Sequence, residues 1–331
     1  MLGKKIGVDL GTTATRLHLR GDATVVSEPS AVAFDADGRI QATGIAAQRL
    51  SDRPGITVRA PLRDGAIADR AAADALLAGV ITRACGRQRI FRPDVMVSVP
   101  PPLEGADRRL LLDICARAGA RTMYLIDSPL AAGMGAGLAV STGVGRLVLD
   151  IGAGTVDAAV IAAEGMVTWR SSTRGGARLT AEVAGYVGGL LGVDVAMTQA
   201  EELKREIGSA VILAEERTLR VPVRREGTAT EVVVSSTAVH AAVRGWVAEV
   251  VALVEEVLDE CPRRLVRDVR ERTGLTLCGG GAQLRGLDRH LATALRLPVS
   301  VAGDPGGSVA RGAGAALENL DVLRRTFLYV R

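Results

Sequence analysis

The chain has few aromatic residues and few cysteines. Only 2% of its 331 residues are Phe, Trp or Tyr, which argues against a protein that binds single-stranded nucleic acid by stacking bases on aromatic rings. The four cysteines, Cys85, Cys115, Cys261 and Cys278, lie far apart and form no CxxC pair. This spacing favours reduced thiols over a disulfide framework or a thiolate zinc site.

A large net charge and a long hydrophobic run are also missing. The 41 basic and 37 acidic residues nearly balance, so the chain has little long-range field for nucleic acid and we expect no such partner. No charge-free run reaches the roughly 18 apolar residues of a membrane span. Residues 1–20 carry Asp9 in their apolar part and lack the long apolar region of a secretory signal, which predicts a cytoplasmic protein.

The length and composition of the chain are those of a large globular protein. Hydrophobic residues make up 48% and charged residues 24% of the sequence, close to the average of folded proteins. Because 331 residues exceed what one compact core usually holds, we expect two domains or one large α/β chain.

One short pattern occurs twice in the sequence. Residues 5–19 contain an apolar run that ends in Asp9 and a Gly-Thr turn, followed by alternating apolar and polar residues. Residues 146–161 repeat this pattern with Asp150 in the place of Asp9, 141 positions later. Each copy predicts a strand, a tight turn and a returning strand. A repeat of this length indicates two related lobes rather than a solenoid.

Strands and helices are predicted to alternate along the rest of the chain. We expect buried strands at residues 94–100 and 275–278, and we expect Arg108 on the solvated face of its helix. The predicted helices cover residues 105–119, 200–209, 237–260 and 308–320. This alternation indicates an α/β fold. Because no low-complexity linker separates the two lobes, we expect them to share a cleft and to cross over through helices.

The repeated turns carry groups that suit a metal-bound polyphosphate. An aspartate at a strand end can hold a water-ligated divalent cation, while the turn after it offers backbone N–H groups and a hydroxyl to phosphate oxygens. Two such turns facing each other would clamp a triphosphate with Mg²⁺ between them. Taken singly, a turn of this kind is more often only a hairpin connection, so the prediction depends on the order of the motifs.

A third element follows the predicted strand at residues 275–278. Gly279, Gly280 and Gly281 would let the backbone approach a flat ligand closely, because glycine has no Cβ. The alternative interpretation is an ordinary turn between a strand and a helix.

With these three elements in this order, the chain resembles the MreB family of bacterial actin homologues. That family belongs to the superfamily of actin, sugar kinases and heat-shock chaperone ATPase domains. The resemblance runs nearly end to end, whereas the sugar kinases share only the short turns. Beyond the two turns it covers residues 27–30, 61–69, 131–137, 201–209 and 279–288.

The resemblance implies a two-lobed actin-like ATPase, an α/β fold with duplicated RNase H-like domains around a nucleotide cleft. Lobe I would comprise residues 1–139 plus 315–331, with a small subdomain at about 33–70. Lobe II would comprise residues 140–314, with a small subdomain at about 180–240. The implied cofactors are ATP and Mg²⁺. The implied partners are other copies of the chain in a filament, the inner face of the cell membrane, and membrane proteins of the cell-wall synthesis or shape complex.

By the same resemblance, individual residues match the family's nucleotide site. Asp9 and Asp150 match the two acids on the Mg²⁺ side, which would hold the ion through water. Glu201 and Lys204 match the helix beside adenine and ribose; three positions apart, they share one helical face, and without the motif they would be taken for a surface ion pair. The residues that match the phosphate and adenosine turns are Gly11, Thr12, Thr13, Gly152, Gly154, Thr155, Gly279, Gly280 and Gly281.

The chain departs from the family at the position that orients the attacking water. The family has a glutamate directly before the proline of its first connecting helix, whereas this chain has Ser128 before Pro129. A serine hydroxyl can hydrogen-bond water but is a very poor base near neutral pH. Asp127 is one position earlier, where a strand would point it to the other face unless the helix start turns it inward. The candidate catalytic residues are therefore Asp127, Ser128 and Thr155.

A second departure lies in the first turn, where Ala14 replaces the family's asparagine and removes one polar contact to phosphate. We expect nucleotide binding to be retained and hydrolysis to be slow or absent, because positioning the water is a large part of phosphoryl-transfer catalysis. Two functions follow: an ATP-dependent filament that controls cell shape and wall synthesis, or a hydrolysis-deficient actin-like scaffold or regulator that binds ATP without dynamic polymerisation. A small-molecule kinase would need a base for its acceptor, and the sequence points to none.

A basic segment before the predicted strand at residues 94–100 contains the apolar pair Ile90 and Phe91 among three arginines. Cations beside an apolar pair suit an anionic lipid surface, and MreB-like proteins carry a membrane-inserting loop at this place. The alternative is that Phe91 packs inward where the strand starts.

Replacing Ile90 and Phe91 together with serine tests the lipid interpretation. We expect co-sedimentation with anionic liposomes to be lost while the protein stays folded, because the apolar insertion is removed and the arginines remain. Liposome binding equal to that of the wild type would exclude a membrane role for this pair.

Overall fold

The structure is a computed structural model. It describes residues 4–19, 21–22, 25–86, 92–103, 105–163, 165–225, 228–320 and 328–330. In chain order the strands are β1 Lys5–Leu10, β2 Ala14–Leu19, β3 Val25–Pro29, β4 Val32–Phe34, β5 Ile40–Thr43, β6 Thr57–Arg59, β7 Leu62–Arg63, β8 Ala66–Ile67, β9 Asp94–Val99, β10 Thr122–Asp127, β11 Arg146–Ile151, β12 Val156–Ala162, β13 Gly165–Ser172, β14 Thr218–Arg225, β15 Thr228–Ser235, β16 Leu275–Cys278, β17 Val299–Val301 and β18 Leu328–Val330.

The α-helices alternate with these strands, and two short helical turns that are not α-helical lie near residue 275. In chain order the helices are α1 Ile45–Gln48, α2 Arg70–Cys85, α3 Gly105–Arg117, α4 Ser128–Gly135, α5 Gly176–Leu191, α6 Met197–Glu206, α7 Ser236–Glu260, α8 Arg263–Asp268, α9 Leu287–Leu295 and α10 Ser308–Ala316. A π-helical turn covers Val269–Thr273 and a 3-10 turn covers Gly280–Gln283.

The two main sheets share one order over five strands, which confirms the internal repeat, and the first sheet has β18 as an additional edge strand. The first sheet runs β18-β10-β9-β1-β2-β3, and the second runs β17-β16-β11-β12-β13. In each, the first strand of the repeat pairs antiparallel with the returning strand and parallel with a later strand. Asp9 therefore lies opposite Arg16 in the first sheet, just as Asp150 lies opposite Asp157 in the second.

Smaller sheets are added to each main sheet. A three-stranded sheet of order β5-β4-β6 and the β7-β8 hairpin follow β3, whereas the long hairpin β14-β15 follows α6. They fall within the stretches predicted as small subdomains, at about 33–70 and 180–240. The exact lobe boundaries, 1–139 plus 315–331 against 140–314, stay predictions.

Two helices exchange sides between the main sheets, as the predicted crossover requires. Helix α4 follows a strand of the first sheet but packs against β11 and β12 of the second, whereas α10 follows the second sheet and packs against β1, β2 and β9 of the first. The two helices also pack closely on each other. Their apolar residues form a separate core between the sheets, which includes Leu130, Val148, Ile161, Val309 and Ala313.

Helix α7 is long and apolar enough to cross a membrane by length and composition alone. In the folded protein it is a core helix, as the sequence predicted, because Val239, Val243, Trp246 and Val250 are buried in the core of the second sheet. Its exposed positions include Glu255 and other charged residues. Such a helix is explained by packing inside the protein.

Two predicted helix ends are wrong. The helix expected over residues 200–209 is α6, which starts at Met197 and ends at Glu206 because the chain turns at Gly208, whose N–H bonds back to the Leu203 and Lys204 carbonyls. The helix expected over residues 308–320 ends at Ala316. The apolar residues on which both predictions were based continue past the observed helix ends, but the backbone turns there and the helices end.

Glycines set the distance between α4 and α10. A Cβ built on Gly312 would lie 1.7 Å from the carbonyl oxygen of Ala131, and one on Gly135 would lie 1.8 Å from that of Ser308. Real Cβ atoms do not approach backbone oxygens so closely. The two helices would therefore have to separate if either glycine were replaced.

Gly312→Ala should lower the free energy of unfolding by about 1–3 kcal/mol, because the added methyl group forces α10 away from α4. The matched control is Gly185→Ala in the exposed part of α5, where a Cβ meets no atom within 4 Å, and which should be neutral or stabilising by up to about 1 kcal/mol. Urea and thermal unfolding midpoints measure both. Equal stability of Gly312→Ala and wild type would contradict the packing described here.

Candidate functional site

The two repeated turns face each other across the groove between the main sheets. A Cβ built on Gly154 of the second turn would lie 2.3 Å from Oγ1 of Thr12 in the first turn. Gly65, from the β7-β8 hairpin, packs against the same turn, since a Cβ built on it would lie 2.7 Å from Cγ2 of Thr155. The structure therefore brings Thr12, Gly154 and Thr155 together.

The first turn is held rigid by a small polar network. Ser30 Oγ donates to the carbonyl oxygen of Gly11 at 2.6 Å and lies 2.8 Å from the buried Thr15 Oγ1. The backbone N–H of Ser30 donates to the carbonyl of Thr13 at 3.0 Å. The carbonyls of the turn are thus directed toward Ser30, and the side chain of Thr13 stays exposed.

The second turn is fixed by the start of α5. The N–H groups of Gly176 and Ala177 donate to the carbonyls of Gly152 and Ala153, both at 2.9 Å. This close approach requires glycine at Gly175, where a Cβ would lie 2.5 Å from the Ala153 oxygen. With its carbonyls occupied in this way, the turn keeps one shape.

The two predicted metal-side acids approach closely enough to influence each other. Asp9 lies at 17% side-chain exposure, 3.4 Å from the donating hydroxyl of Ser98, and burial raises its pKa although Arg16 lowers it. Burial, and then the charges of Asp157 and Asp9, raise the pKa of Asp150 well above its ordinary value. The carboxylates of residues 9 and 150 thus share one groove, as the two facing turns require.

Asp150 is the group in this groove that most clearly needs a ligand. The residue is 7% exposed, and its Oδ1 is a buried oxygen for which the described part of the chain provides no hydrogen-bond partner. A buried polar atom without a partner costs free energy. A cation or a cation-bound water placed against Oδ1 would remove that cost.

Asp157, which the sequence analysis passed over, is a third acid of the site. It is 1% exposed and accepts hydrogen bonds from Ser171 and, at 2.8 Å, from Thr155. Burial raises its pKa to about 6 in spite of these bonds. The pKa of an aspartate in the unfolded chain is near 4, so between about pH 4 and pH 6 the folded state binds more protons at this residue than the unfolded state does. The contribution of Asp157 to stability therefore falls as the pH rises from about 4 to 6.

Arg16 is a cation of the site that the sequence analysis also missed. Its guanidinium Nη1 lies 3.6 Å from Asp9 Oδ2, and its charge lowers the pKa of both Asp9 and Asp150. The signal available in the sequence was the repeat itself, because Arg16 and Asp157 occupy the same register position opposite the two metal-side acids.

These acids suit a hydrated Mg²⁺ ion better than a fully protein-bound one. Among the residues that the structure describes, no group of three or more His, Cys, Asp or Glu side chains is arranged as a metal cage. Mg²⁺ commonly keeps several waters and uses one or two carboxylates together with substrate phosphates. Asp9, Asp150 and the unpartnered Oδ1 fit that mode of binding.

Helix α6 brings Glu201 and Lys204 together beside the second turn. Lys204 Nζ donates to Glu201 Oε2 at 2.5 Å, to Thr180 Oγ1 at 2.8 Å and to the Gly176 carbonyl at 3.1 Å. Partial burial raises the pKa of Glu201, but hydrogen bonds from Lys204 and Thr180 lower it below its usual value. Lys204 thus links α6 to the first turn of α5, directly behind the second phosphate turn.

The three glycines after β16 lie against the end of β11. A Cβ on Gly279 would lie 2.3 Å from the Ile151 oxygen and 2.6 Å from Asp150 Oδ1, and one on Gly281 would lie 2.1 Å from Ile151 Cγ2. Gly279 also has a φ of 80°, which favours glycine. Gly280 faces open space, so its backbone is accessible to a ligand.

Ser128 and Asp127 lie where β10 passes into α4. Ser128 is the first residue of the helix and is buried. Asp127 Oδ1 accepts a 2.7 Å hydrogen bond from Arg108, which also donates to the Pro101 and Leu103 carbonyls. The expectation that Arg108 decorates a solvated helix face is therefore wrong: its partners hold it against the start of α4.

The charge of Asp127 also raises the pKa of Asp157 in the second sheet. The apolar pair Ile90 and Phe91 lies outside the described residues, so the membrane prediction is not tested by the structure.

Two sheets of one strand order, two crossing helices and a pair of facing acidic turns define a two-lobed actin-like fold. The crystal structure of MreB5 of Spiroplasma citri bound to ADP has a TM-score of 0.89 and 28% sequence identity, over 96% of this chain and 97% of that one. The same protein bound to AMPPNP gives a TM-score of 0.90. A MamK double helical filament shares the fold at a TM-score of 0.82 and 22% identity, over 95% of this chain and 98% of that one.

The chain belongs to the MreB/Mbl family, whose family model matches residues 3–325. The cell shape-determining protein MreB of Escherichia coli strain K12 is 37% identical over 333 residues, covering 97% of this chain and 95% of that protein. The cell shape-determining protein Mbl of Bacillus subtilis strain 168 is 33% identical over 330 residues, covering 98% of each. The family predicted from the motifs is thereby confirmed.

Asp150→Asn tests the cation site. Without ligand at pH 8, the variant should be at least as stable as the wild type, because a buried carboxylate facing two others is neutralised. Its affinity for Mg²⁺ alone, measured by the shift of the thermal midpoint on titration, should fall at least about tenfold.

The matched control for this variant is Asp113→Asn, on the exposed face of α3, which should respond to Mg²⁺ like the wild type. An Asp150→Asn protein with an unchanged response to Mg²⁺ would show that this carboxylate does not hold the ion.

Proposed function

We propose that the protein is an MreB-like cytoskeletal protein that binds ATP with Mg²⁺ in the groove between its lobes and assembles into filaments controlling cell shape and cell-wall synthesis. The observation that carries this proposal is the pair of facing turns, together with the buried Oδ1 of Asp150, for which the described residues provide no hydrogen-bond partner. Family membership supports the same conclusion, because the relatives are cell shape-determining proteins.

Nucleotide binding is supported by the similar structures of MreB5, which contain ADP or AMPPNP. In this chain, the backbone N–H groups and hydroxyls of the two turns would bind the phosphates. Gly280 leaves the backbone open to the adenosine moiety, and the ion pair of Glu201 with Lys204 would border the ribose. Asp9 and Asp150 would hold Mg²⁺ through water, and the ion would neutralise the phosphate charges when bound.

The residues around the reacting end of the triphosphate favour binding over hydrolysis. Ser128 can donate or accept a hydrogen bond, but it cannot take a proton from water near neutral pH. Asp127 Oδ1 already accepts a 2.7 Å hydrogen bond from Arg108, so this carboxylate is engaged in an ion pair rather than free to orient a water. Thr155 already donates its hydroxyl to Asp157. We therefore infer slow turnover with ATP retained.

Self-association is supported by the double helical filament of MamK, which has the same fold. We infer that the filaments lie on the cytoplasmic face of the cell membrane, where membrane proteins of the shape or wall-synthesis complex would bind them. The second candidate function is a hydrolysis-deficient actin-like scaffold or regulator, favoured by Ser128 and by the ion pair that engages Asp127.

Ser128→Glu should raise steady-state phosphate release from ATP at least about tenfold, because it places a carboxylate beside the attacking water. The matched control is Ser51→Glu, on an exposed loop far along the chain from the site, which should leave phosphate release unchanged. Rapid hydrolysis by the wild type that is unaffected by Ser128→Ala would show that another residue orients the water.

Pelleting assays separate the two candidate functions. A dynamic filament protein should sediment with ATP and Mg²⁺ and disassemble or sediment less with ADP, since assembly depends on the bound nucleotide. A scaffold of the second kind should sediment equally, or not at all, with ATP, AMPPNP and ADP. Sedimentation that needs no nucleotide would therefore exclude the first function.

A further inference from the structure

Arg16 breaks the symmetry between the two repeats. In both main sheets a metal-side acid is paired across the strands with a residue seven positions later, and the register is the same. In the second sheet this partner is the acid Asp157, whereas in the first it is Arg16. Side chains at paired positions of neighbouring strands lie on the same face of a sheet, so Arg16 is directed into the groove beside Asp9.

The guanidinium of Arg16 also reaches the opposite side of the groove. Besides its 3.6 Å contact with Asp9 Oδ2, its Nη2 and Nε lie 3.7 and 3.9 Å from the position of a Cβ on Gly306. Gly306 belongs to the loop between β17 and α10, in the second half of the chain. Gln283 Nε2 lies 3.9 Å from the same position.

Arg16 has more N–H donors than its contact with Asp9 can use. A guanidinium has five N–H donors in a planar fork, and a single carboxylate uses at most two of them. Arg16 contacts Asp9, and its charge also acts on Asp150, which has Asp157 as a second acidic neighbour. A divalent ion would bring further positive charge to these acids, and an arriving polyphosphate would present new acceptors to the guanidinium.

We propose that Arg16 binds a phosphate oxygen of the nucleotide and so makes nucleotide binding partly independent of Mg²⁺. Bidentate guanidinium–phosphate contacts are among the strong charge-assisted hydrogen bonds. Arg16 serves at the same time as the counter-ion of Asp9 when the groove holds no ligand. This inference rests on the proposed nucleotide-binding function and adds to it a phosphate ligand from the first repeat.

The test compares ATP, ADP and adenosine binding by calorimetry, with excess Mg²⁺ and with EDTA. The wild type should still bind ATP in EDTA. Arg16→Leu and Arg16→Gln should weaken ATP binding in EDTA by about 10- to 100-fold, with a smaller loss in Mg²⁺ and no change for adenosine. Arg16→Lys should be intermediate, because an ammonium keeps the charge but loses the planar fork.

The matched control is Arg220→Leu, on the exposed hairpin strand β14 at 74% side-chain exposure, which should bind ATP like the wild type. Arg16→Leu and Arg16→Gln variants that bind ATP with wild-type affinity in both conditions would overturn the Arg16 proposal alone. An equal loss of affinity for ATP and for adenosine would overturn it as well, because it would show that Arg16 has a structural role. A wild type that binds neither ATP nor adenosine would refute the proposed function and this inference together.

Discussion

Burial opposes the ionisation of three aspartates, Asp9, Asp150 and Asp157, and the charges of the other two add to this effect at Asp150. Arg16 offsets part of this repulsion, and Oδ1 of Asp150 keeps no partner among the described residues. The fold therefore carries an electrostatic cost at Asp150. A ligand that brings positive charge to this place would relieve the repulsion and stabilise the folded state.

The backbone supports this groove by close approach rather than by large side chains. Gly135 and Gly312 let α4 and α10 touch, Gly175 lets α5 rest on the second turn, and Gly279 fits against Asp150. Each of these contacts joins segments that are far apart in the chain. The acids and the phosphate turns are thus positioned by rigid elements, which favours precise binding of a charged ligand.

A few residues break the symmetry between the two repeats of this protein. Arg16 stands opposite Asp9 where the second copy has Asp157 opposite Asp150. Ser128 starts the crossing helix α4, and Arg108 engages the neighbouring Asp127. Together these residues add a cation beside Asp9 and leave a hydroxyl and an already paired carboxylate at the start of α4.

The sequence alone determined the repeat, the positions of the two turns and the family, because strand alternation, turn glycines and acids are local patterns in the chain. It also predicted that Glu201 and Lys204 share one face, since helical spacing fixes this. Only the tertiary structure decided that Asp127 pairs with Arg108, that Asp157 and Arg16 belong to the site, and that α6 ends before Gly208. These outcomes depend on contacts between distant segments, whose charges and carbonyls meet only when the sheets and crossing helices pack.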